Sequence, residues 1–359
     1  MREWEQNIRR IDPYIAGEQP NFPDMVKLNT NENPYPPSPR VQKMMEREQA
    51  DKFRLYPDTN STELAKALCE FYHLNMDQIF IGVGSDDVLA MSFLTFFNSK
   101  KPIIFPDITY SFYDVWAKLY RIPYRQLPLD ENFMMIKDDY FVENGGIVIA
   151  NPNAPTSVFL STSAIEEIVE KNQDVIVIVD EAYIDFGGES MMQLVNRYDN
   201  LVVVQTFSKS RSMAGMRIGF AVANPRLIQA LNDVKNSYNS YTMTRASILL
   251  GAEAVKDSDY FYATNQKIID TREHVKKELS SLGFEFPDSK TNFLFVTHKK
   301  LDAKELFTDL REKHIFVRYW DKPRINQHLR ISIGTDQEMN VLLDFLRGYC
   351  KDKGVIYEK

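Results

Sequence analysis

The chain has little cysteine, with only Cys69 and Cys350 in 359 residues. Two thiols build neither a disulfide framework nor a cysteine metal cluster, and such scarcity suits a reducing cytoplasm. Long apolar runs are missing too. Stretches such as Val175-Ile176-Val177-Ile178-Val179 fall far short of the roughly twenty residues that a bilayer span needs, so no membrane partner is expected. The segment Met1-Arg2-Glu3-Trp4-Glu5 is charged and no apolar run follows it, which argues against a secretory signal. Basic residues are not in excess. The 43 Lys and Arg against 50 Asp and Glu leave a net charge of −7, so a nucleic-acid partner held by bulk charge is excluded. With 44% hydrophobic residues the chain is too apolar for disorder, and it is long enough for two packed units.

The organisation is legible in the rhythm of short apolar runs. Strands are expected at Ile79 to Val83, Ile103 to Phe105, Ile147 to Ala150, Val175 to Val179, Leu201 to Val204 and Ile218 to Val222. Stretches of helical length lie between most of them. In Thr62 to Tyr72, for example, Leu64, Ala67, Leu68 and Phe71 share one face behind a candidate cap at Asn60 or Ser61. Strands alternating with helices predict an α/β fold, with a mostly parallel central sheet covered by helices on both faces. Residues 1–35, rich in Pro and Asn, read as an amino-terminal arm. Residues 36–240 then form the large domain. Residues 241–359, with runs at Phe293 to Val296, Ile315 to Val317 and Leu329 to Ile333 and a closing helix from Asp336, form a smaller α+β domain.

Four segments carry candidate chemistry. Gly82-Val83-Gly84-Ser85-Asp86-Asp87 joins an expected strand to an expected helix. Such a turn is either structural or an anion site built from free amides; Asp87 stands where a dinucleotide fingerprint needs its third glycine. Asp180 ends the apolar run Val175 to Val179, at the edge where open α/β sheets bind ligands. A buried acid there needs a cation, or else it is a cap or a solvated loop residue. Lys209, in Thr206-Phe207-Ser208-Lys209-Ser210, follows the next strand, with Arg217 eight residues on; a partly buried lysine becomes a nucleophilic amine, and an exposed one is inert. Arg330 interrupts the apolar Leu329-Arg330-Ile331-Ser332.

A phosphate turn, a strand-end acid, a strand-end lysine and an arginine, in that order, match pyridoxal phosphate chemistry. Together with Ile11-Asp12-Pro13-Tyr14, Leu28-Asn29-Thr30-Asn31-Glu32-Asn33-Pro34, Tyr56-Pro57-Asp58, Asp180-Glu181-Ala182-Tyr183 and Leu329 to Thr335, they give a chain that resembles the fold-type I aminotransferases throughout. Within them it is most similar to the histidinol-phosphate aminotransferase family.

The resemblance implies pyridoxal 5'-phosphate as cofactor, with Lys209 joined to its aldehyde. It implies Asp180 at the pyridine nitrogen, Tyr183 at the phenolic oxygen and Tyr110 on the ring face. Gly84, Ser85, Asp86, Thr206, Ser208 and Arg217 would hold the phosphate. Tyr56 would arrive from the second subunit of a homodimer. Tyr14, Asn33, Arg318 and Arg330 would hold the substrates, histidinol phosphate and the glutamate/2-oxoglutarate pair, and no metal is implied. The family's usual N-P-N-N-P-T-G reads here Asn151-Pro152-Asn153-Ala154-Pro155-Thr156-Ser157. Either Asn153 takes the place left by Ala154 beside the cofactor, or Tyr183 makes that hydrogen bond alone. A phosphothreonine decarboxylase and an aromatic-amino-acid aminotransferase are the alternatives on the same scaffold.

Overall fold

A computed structural model describes residues 2–48 and 50–355. After the first strand, β1 (Val26–Lys27), the large domain is built on a seven-stranded sheet. It comprises β2 (Ile79–Gly82), β3 (Ile103–Pro106), β4 (Tyr124–Leu127), β5 (Ile147–Ala150), β6 (Val177–Asp180), β7 (Leu201–Thr206) and β8 (Gly219–Ala223), in the order β2-β8-β7-β6-β5-β3-β4. Only β8 runs against its neighbours. The expected strands are therefore present.

Their runs are unbroken rather than alternating because both faces are buried. Ile147, Ile149, Val177, Val179, Leu201 and Val203 pack on one side with helices Thr62–Tyr72, Thr162–Lys171 and Arg245–Lys256. Val148, Ile178, Val202 and Val204 pack on the other with helices Ser85–Phe96, Phe112–Tyr120 and Pro225–Tyr238. The edge strand β4, Tyr-Arg-Gln-Leu, exposes its two central polar residues, so no apolar run marks it in the sequence.

The helix Thr62–Tyr72 is capped differently from expectation. Ser61 sits in the left-handed region with its hydroxyl making no cap bond. Instead Asp58 accepts from the backbone N–H groups of Asn60 (3.0 Å) and Thr62 (2.7 Å). An Asp58→Ala variant is expected to lose about 1 kcal/mol of stability in urea unfolding.

The small domain holds β9 (Phe284–Glu285), β10 (Phe293–His298), β11 (Ile315–Phe316), β12 (Arg318–Tyr319) and β13 (His328–Ser332), with β12-β13-β10-β9 forming an antiparallel sheet. Packing corrects the expected domain limits at both ends. Val26 and Leu28 of the arm lie in the small-domain core, and β1 pairs in parallel with β11. Conversely Met243, Ile248, Leu250 and Val255 lie in the large-domain core. The division expected at 240/241 thus moves into the 24-residue helix Ser258–Ser281, whose Ile268, Val275 and Leu279 already belong to the second core. No helix among the described residues is long and apolar enough to cross a membrane.

Candidate active site

A cavity of about 610 Å³ opens at the carboxyl ends of the parallel strands, between the two domains and the arm. Ala150 (β5), Asp180 (β6) and Thr206 (β7) all line it, as the sheet topology requires for strands that run the same way. The small domain adds Arg318, Trp320 and Arg330.

Lys209 lies three residues past β7, and its ammonium reaches the cavity. Its Nζ donates to the Thr30 carbonyl (3.2 Å) and stands 5.6 Å from the centre of the Tyr183 ring. The arm crosses directly over it. The Asn33 side chain donates to the Lys209 carbonyl (2.9 Å), and the Asn31 amide donates to the Tyr183 hydroxyl (3.0 Å). With its oxygen already accepting, the Tyr183 O–H is left free to donate into the cavity.

Asp180 is buried at the end of β6. It accepts from the Tyr113 hydroxyl (2.8 Å) and the Ala182 amide (3.2 Å), and no cationic side chain pairs with it among the described residues. Desolvation pushes its pKa up to about 6 against those two hydrogen bonds, and the Asp86 charge adds to the rise. A buried carboxylate with no cation is the complement of a protonated ring nitrogen.

The turn before helix Ser85–Phe96 is a backbone cradle. Gly84 adopts φ +86°, and a Cβ there would lie 2.5 Å from the Arg217 guanidinium. A Cβ on Gly219 would lie 2.3 Å from the Ser85 nitrogen. Both glycines are needed for this close approach. Arg217 donates to the Asp86 carboxylate (3.0 Å) and to the Ser208 hydroxyl (3.4 Å), while the Tyr110 hydroxyl donates to the other Asp86 oxygen (2.7 Å). Asp86 therefore ties together the arginine and the aromatic ring. The first-turn amides, Thr206, Ser208 and Arg217 converge on one spot, an arrangement suited to a phosphate.

A second cationic cluster faces the first. The Arg330 guanidinium is buried, lying 5.3 Å from the Phe293 ring centre and 5.1 Å from that of Trp320; it donates to the Asn29 carbonyl (2.9 Å), and its Nε has no partner. Arg318 lies 5.3 Å from the Trp320 ring. Burial, and then the neighbouring Arg318, lower the Arg330 pKa. Among the described residues neither arginine is paired with a carboxylate, so two like charges converge on one wall of the cavity. Tyr14 stacks on Phe112 (4.1 Å) beside them, its phenol pKa raised by burial.

Three expected residues stand elsewhere. The Asn153 amide is turned away from the cavity and fully used, accepting from Thr109 (2.8 Å) and donating to Ile108 (2.9 Å) and Thr156 (2.8 Å). Ala154 lines the wall instead, so Asn153 does not take up the missing contact. Asn33 braces the Lys209 backbone rather than facing the cavity. Tyr56 is 82% exposed and packs against Tyr241 with tilted rings (4.6 Å between centres), outside the cavity. Asn31 and Tyr113 were missed. Asn31 sits at φ +56°, where asparagine is tolerated, in a stretch whose several asparagines gave no means of ranking them.

A family described as aminotransferase class I and II matches residues 23–346. The chain belongs to it. Among curated members of this family, the chain is 55% identical over 354 residues to the histidinol-phosphate aminotransferase of Lactococcus lactis subsp. cremoris, covering 99% of each. It is 49% identical to that of Acinetobacter baumannii, covering 97% of each. The solved histidinol-phosphate aminotransferase of Sinorhizobium meliloti, in complex with pyridoxal-5'-phosphate, superposes with a TM-score of 0.82 at 22% identity over 90% of each chain, a likeness of fold. This aminotransferase has the fold-type I architecture.

Proposed function

We propose that the chain transfers the amino group of L-histidinol phosphate to 2-oxoglutarate, giving imidazole-acetol phosphate and glutamate in histidine biosynthesis, with pyridoxal 5'-phosphate as cofactor. The observation that carries this reading is the pair of anion sites on either side of one lysine. One is a glycine cradle with Arg217; the other is Arg318 and Arg330 with no carboxylate of their own. The names of relatives about half identical over nearly the whole chain agree with it.

The residues present fit the cofactor. Gly84 leaves room where a Cβ would strike Arg217, and the cation-free Asp180 awaits a protonated nitrogen. When bound, pyridoxal phosphate supplies an aldehyde that takes up the substrate amine and a ring that draws electrons from the adjoining C–H bond. The amides of Ser85 and Asp86, the hydroxyls of Thr206 and Ser208 and the Arg217 fork hold its phosphate. Asp180 keeps the proton on the ring nitrogen. Tyr183, oriented by Asn31, donates to the phenolic oxygen, and Tyr110 covers the ring face. Lys209 would take the proton from the amine-bearing carbon of the substrate as base and deliver it, as acid, to the exocyclic carbon of the cofactor.

Both amino donor and acceptor pass through one cavity, which gives ping-pong kinetics. Arg318, Arg330 and Tyr14 hold the substrate phosphate, and Arg330 holds the α-carboxylate when glutamate takes its place. Tyr56, exposed on its own subunit, reaches the cavity of a second copy in a homodimer. Cytoplasmic residence accords with the scarcity of cysteine, two residues in 359.

Incubating the enzyme with histidinol phosphate and 2-oxoglutarate tests the reading, and glutamate should accumulate. Carbon dioxide from O-phosphothreonine, or a preference for phenylalanine over histidinol phosphate at equal concentration, would replace it. An Arg330→Ala variant should raise KM for amino donor and keto acid alike by about 10- to 100-fold, the worth of a charged hydrogen bond. If one substrate alone suffers, the shared anion site is wrong.

A further inference from the structure

The arm ties the two domains together at Lys209 and Arg330, but a second tie lies at the cavity mouth, and no step of the proposed chemistry uses it. Arg324 belongs to the small-domain loop between β12 and β13. Its Nη1 donates to the Asp107 carboxylate (3.0 Å), and its Nη2 donates to the carbonyls of Leu129 (2.8 Å) and Asp130 (2.7 Å), all in the large domain. The other Asp107 oxygen accepts from the Leu129 amide (3.0 Å), so one carboxylate fixes both the guanidinium and the loop it grips. The same loop sends Phe133 into the small domain, edge-on to Phe295 (5.5 Å) and His328 (5.2 Å), with the Arg324 guanidinium 5.9 Å from its ring.

Arg324 at φ +69° and Phe133 at φ +60° both sit in the left-handed region. Non-glycine residues stay there only when their surroundings over-determine them. The two strained residues face one another: Arg324 holds the loop of Phe133 by its carbonyls, and Phe133 packs on β10 and the first residue of β13 beneath the guanidinium. Arg324 and Asp107 also line the cavity, and Asp107 lies three residues before Tyr110 on the same connection from β3.

We infer that Arg324 is a positioning residue that latches the small domain onto the large one, fixing the distance from the Arg318–Arg330 cluster to Lys209. The inference rests on the reading of that cluster as the substrate anion site. The two ends of the substrate are held by different domains, so a loose latch weakens capture of every substrate. Lys209 and Asp180, both in the large domain, keep their own geometry.

The test uses the holoenzyme carrying Arg324→Ala, Arg324→Lys, Asp107→Asn and the Arg324→Ala/Asp107→Asn pair. In Arg324→Ala, KM for both substrates should rise about tenfold with kcat within about threefold of the parent, within the usual range of coupling between sites. Lysine keeps the charge opposite Asp107 but cannot grip both carbonyls, and should fall between. The pair should be no worse than its worse single variant, because both substitutions break one contact. Amide hydrogen exchange, read without substrate, should quicken about tenfold at 320–327 and 129–134 while the strands around Asp180 and Lys209 keep their protection. Unchanged exchange at those loops, unchanged KM, a fall in kcat alone, or additive effects in the pair would each overturn the latch. Should the parent enzyme make no glutamate from histidinol phosphate, the substrate reading fails, and the exchange result still decides the latch.

Discussion

Lys209→Ala should lose transamination by a factor of about 10⁴ or more, beyond the usual range for one general acid–base group, because the same amine both anchors the cofactor and moves the proton. The surroundings of Lys209 explain why no neighbour replaces it. Among the described residues its Nζ meets the Thr30 carbonyl and the Tyr183 ring; a carbonyl carries no proton, the Tyr183 oxygen is held by Asn31, and the Glu32 carboxylate, which feels the Lys209 charge, is itself held by Lys27 and Thr30. The fold should survive the change, since the loop is fixed by its backbone through Asn33 and by Ser210, whose hydroxyl donates to Asp185 (2.5 Å). Borohydride treatment of the parent enzyme should fix the cofactor on the peptide containing Lys209, identifiable by its mass. Label on another lysine, or an alanine variant with more than about 1% of the parent rate, would place the chemistry elsewhere.

Lys209 and Asp180 were legible because each breaks the pattern of a buried strand at its end, and a charged residue in such a place demands a partner. The same logic exposed Arg330, an arginine within an apolar strand. What could not be read is side-chain direction and tertiary assignment. In Asn151-Pro152-Asn153-Ala154-Pro155 nothing local tells which residue faces the cavity, and the structure turns Asn153 inward to Thr109 and Thr156. The change of rhythm near residue 240 is real, yet helix Arg245–Lys256 packs on Thr62–Tyr72 and so belongs to the first core. The strand pairing of Val26 with Ile315 joins residues nearly 300 apart, and a two-residue strand carries no periodicity of its own. Arg324 was invisible for a related reason: its importance comes from carbonyls some 195 residues away, and its loop has no distinctive composition.

Asp180→Asn should have opposite effects on the empty and the loaded protein. In the cofactor-free protein the carboxyl has a pKa raised to about 6, chiefly by burial, above its value in an unfolded chain. An acid raised in this way costs stability wherever it is ionised in the fold. The cost is therefore full above pH 6 and fades as pH falls from 6 towards 4, reaching about 3 kcal/mol for a shift of about two pH units. Asparagine stays neutral; its one oxygen can still accept from the Ala182 amide, while its NH2, standing where the second carboxylate oxygen stood, donates to the Tyr113 oxygen instead of accepting from it. The cofactor-free variant should thus unfold at a higher urea concentration than the parent at pH 8, with the gap closing by pH 4. Glu181, whose pKa is pushed up to about 7 by burial, adds a slope of the same sign to both proteins and cancels in the comparison. With cofactor bound the order reverses. The carboxylate then meets the ring nitrogen, and a neutral amide cannot hold the proton there, so kcat should fall by about 10³, the scale of losing one aligned electrostatic contact. A residue that weakens the empty fold and is required in the loaded one is a binding charge awaiting its counter-ion rather than part of the scaffold. Unchanged turnover in the asparagine variant, or a cofactor-free variant less stable than the parent at pH 8, would show that Asp180 is not that charge.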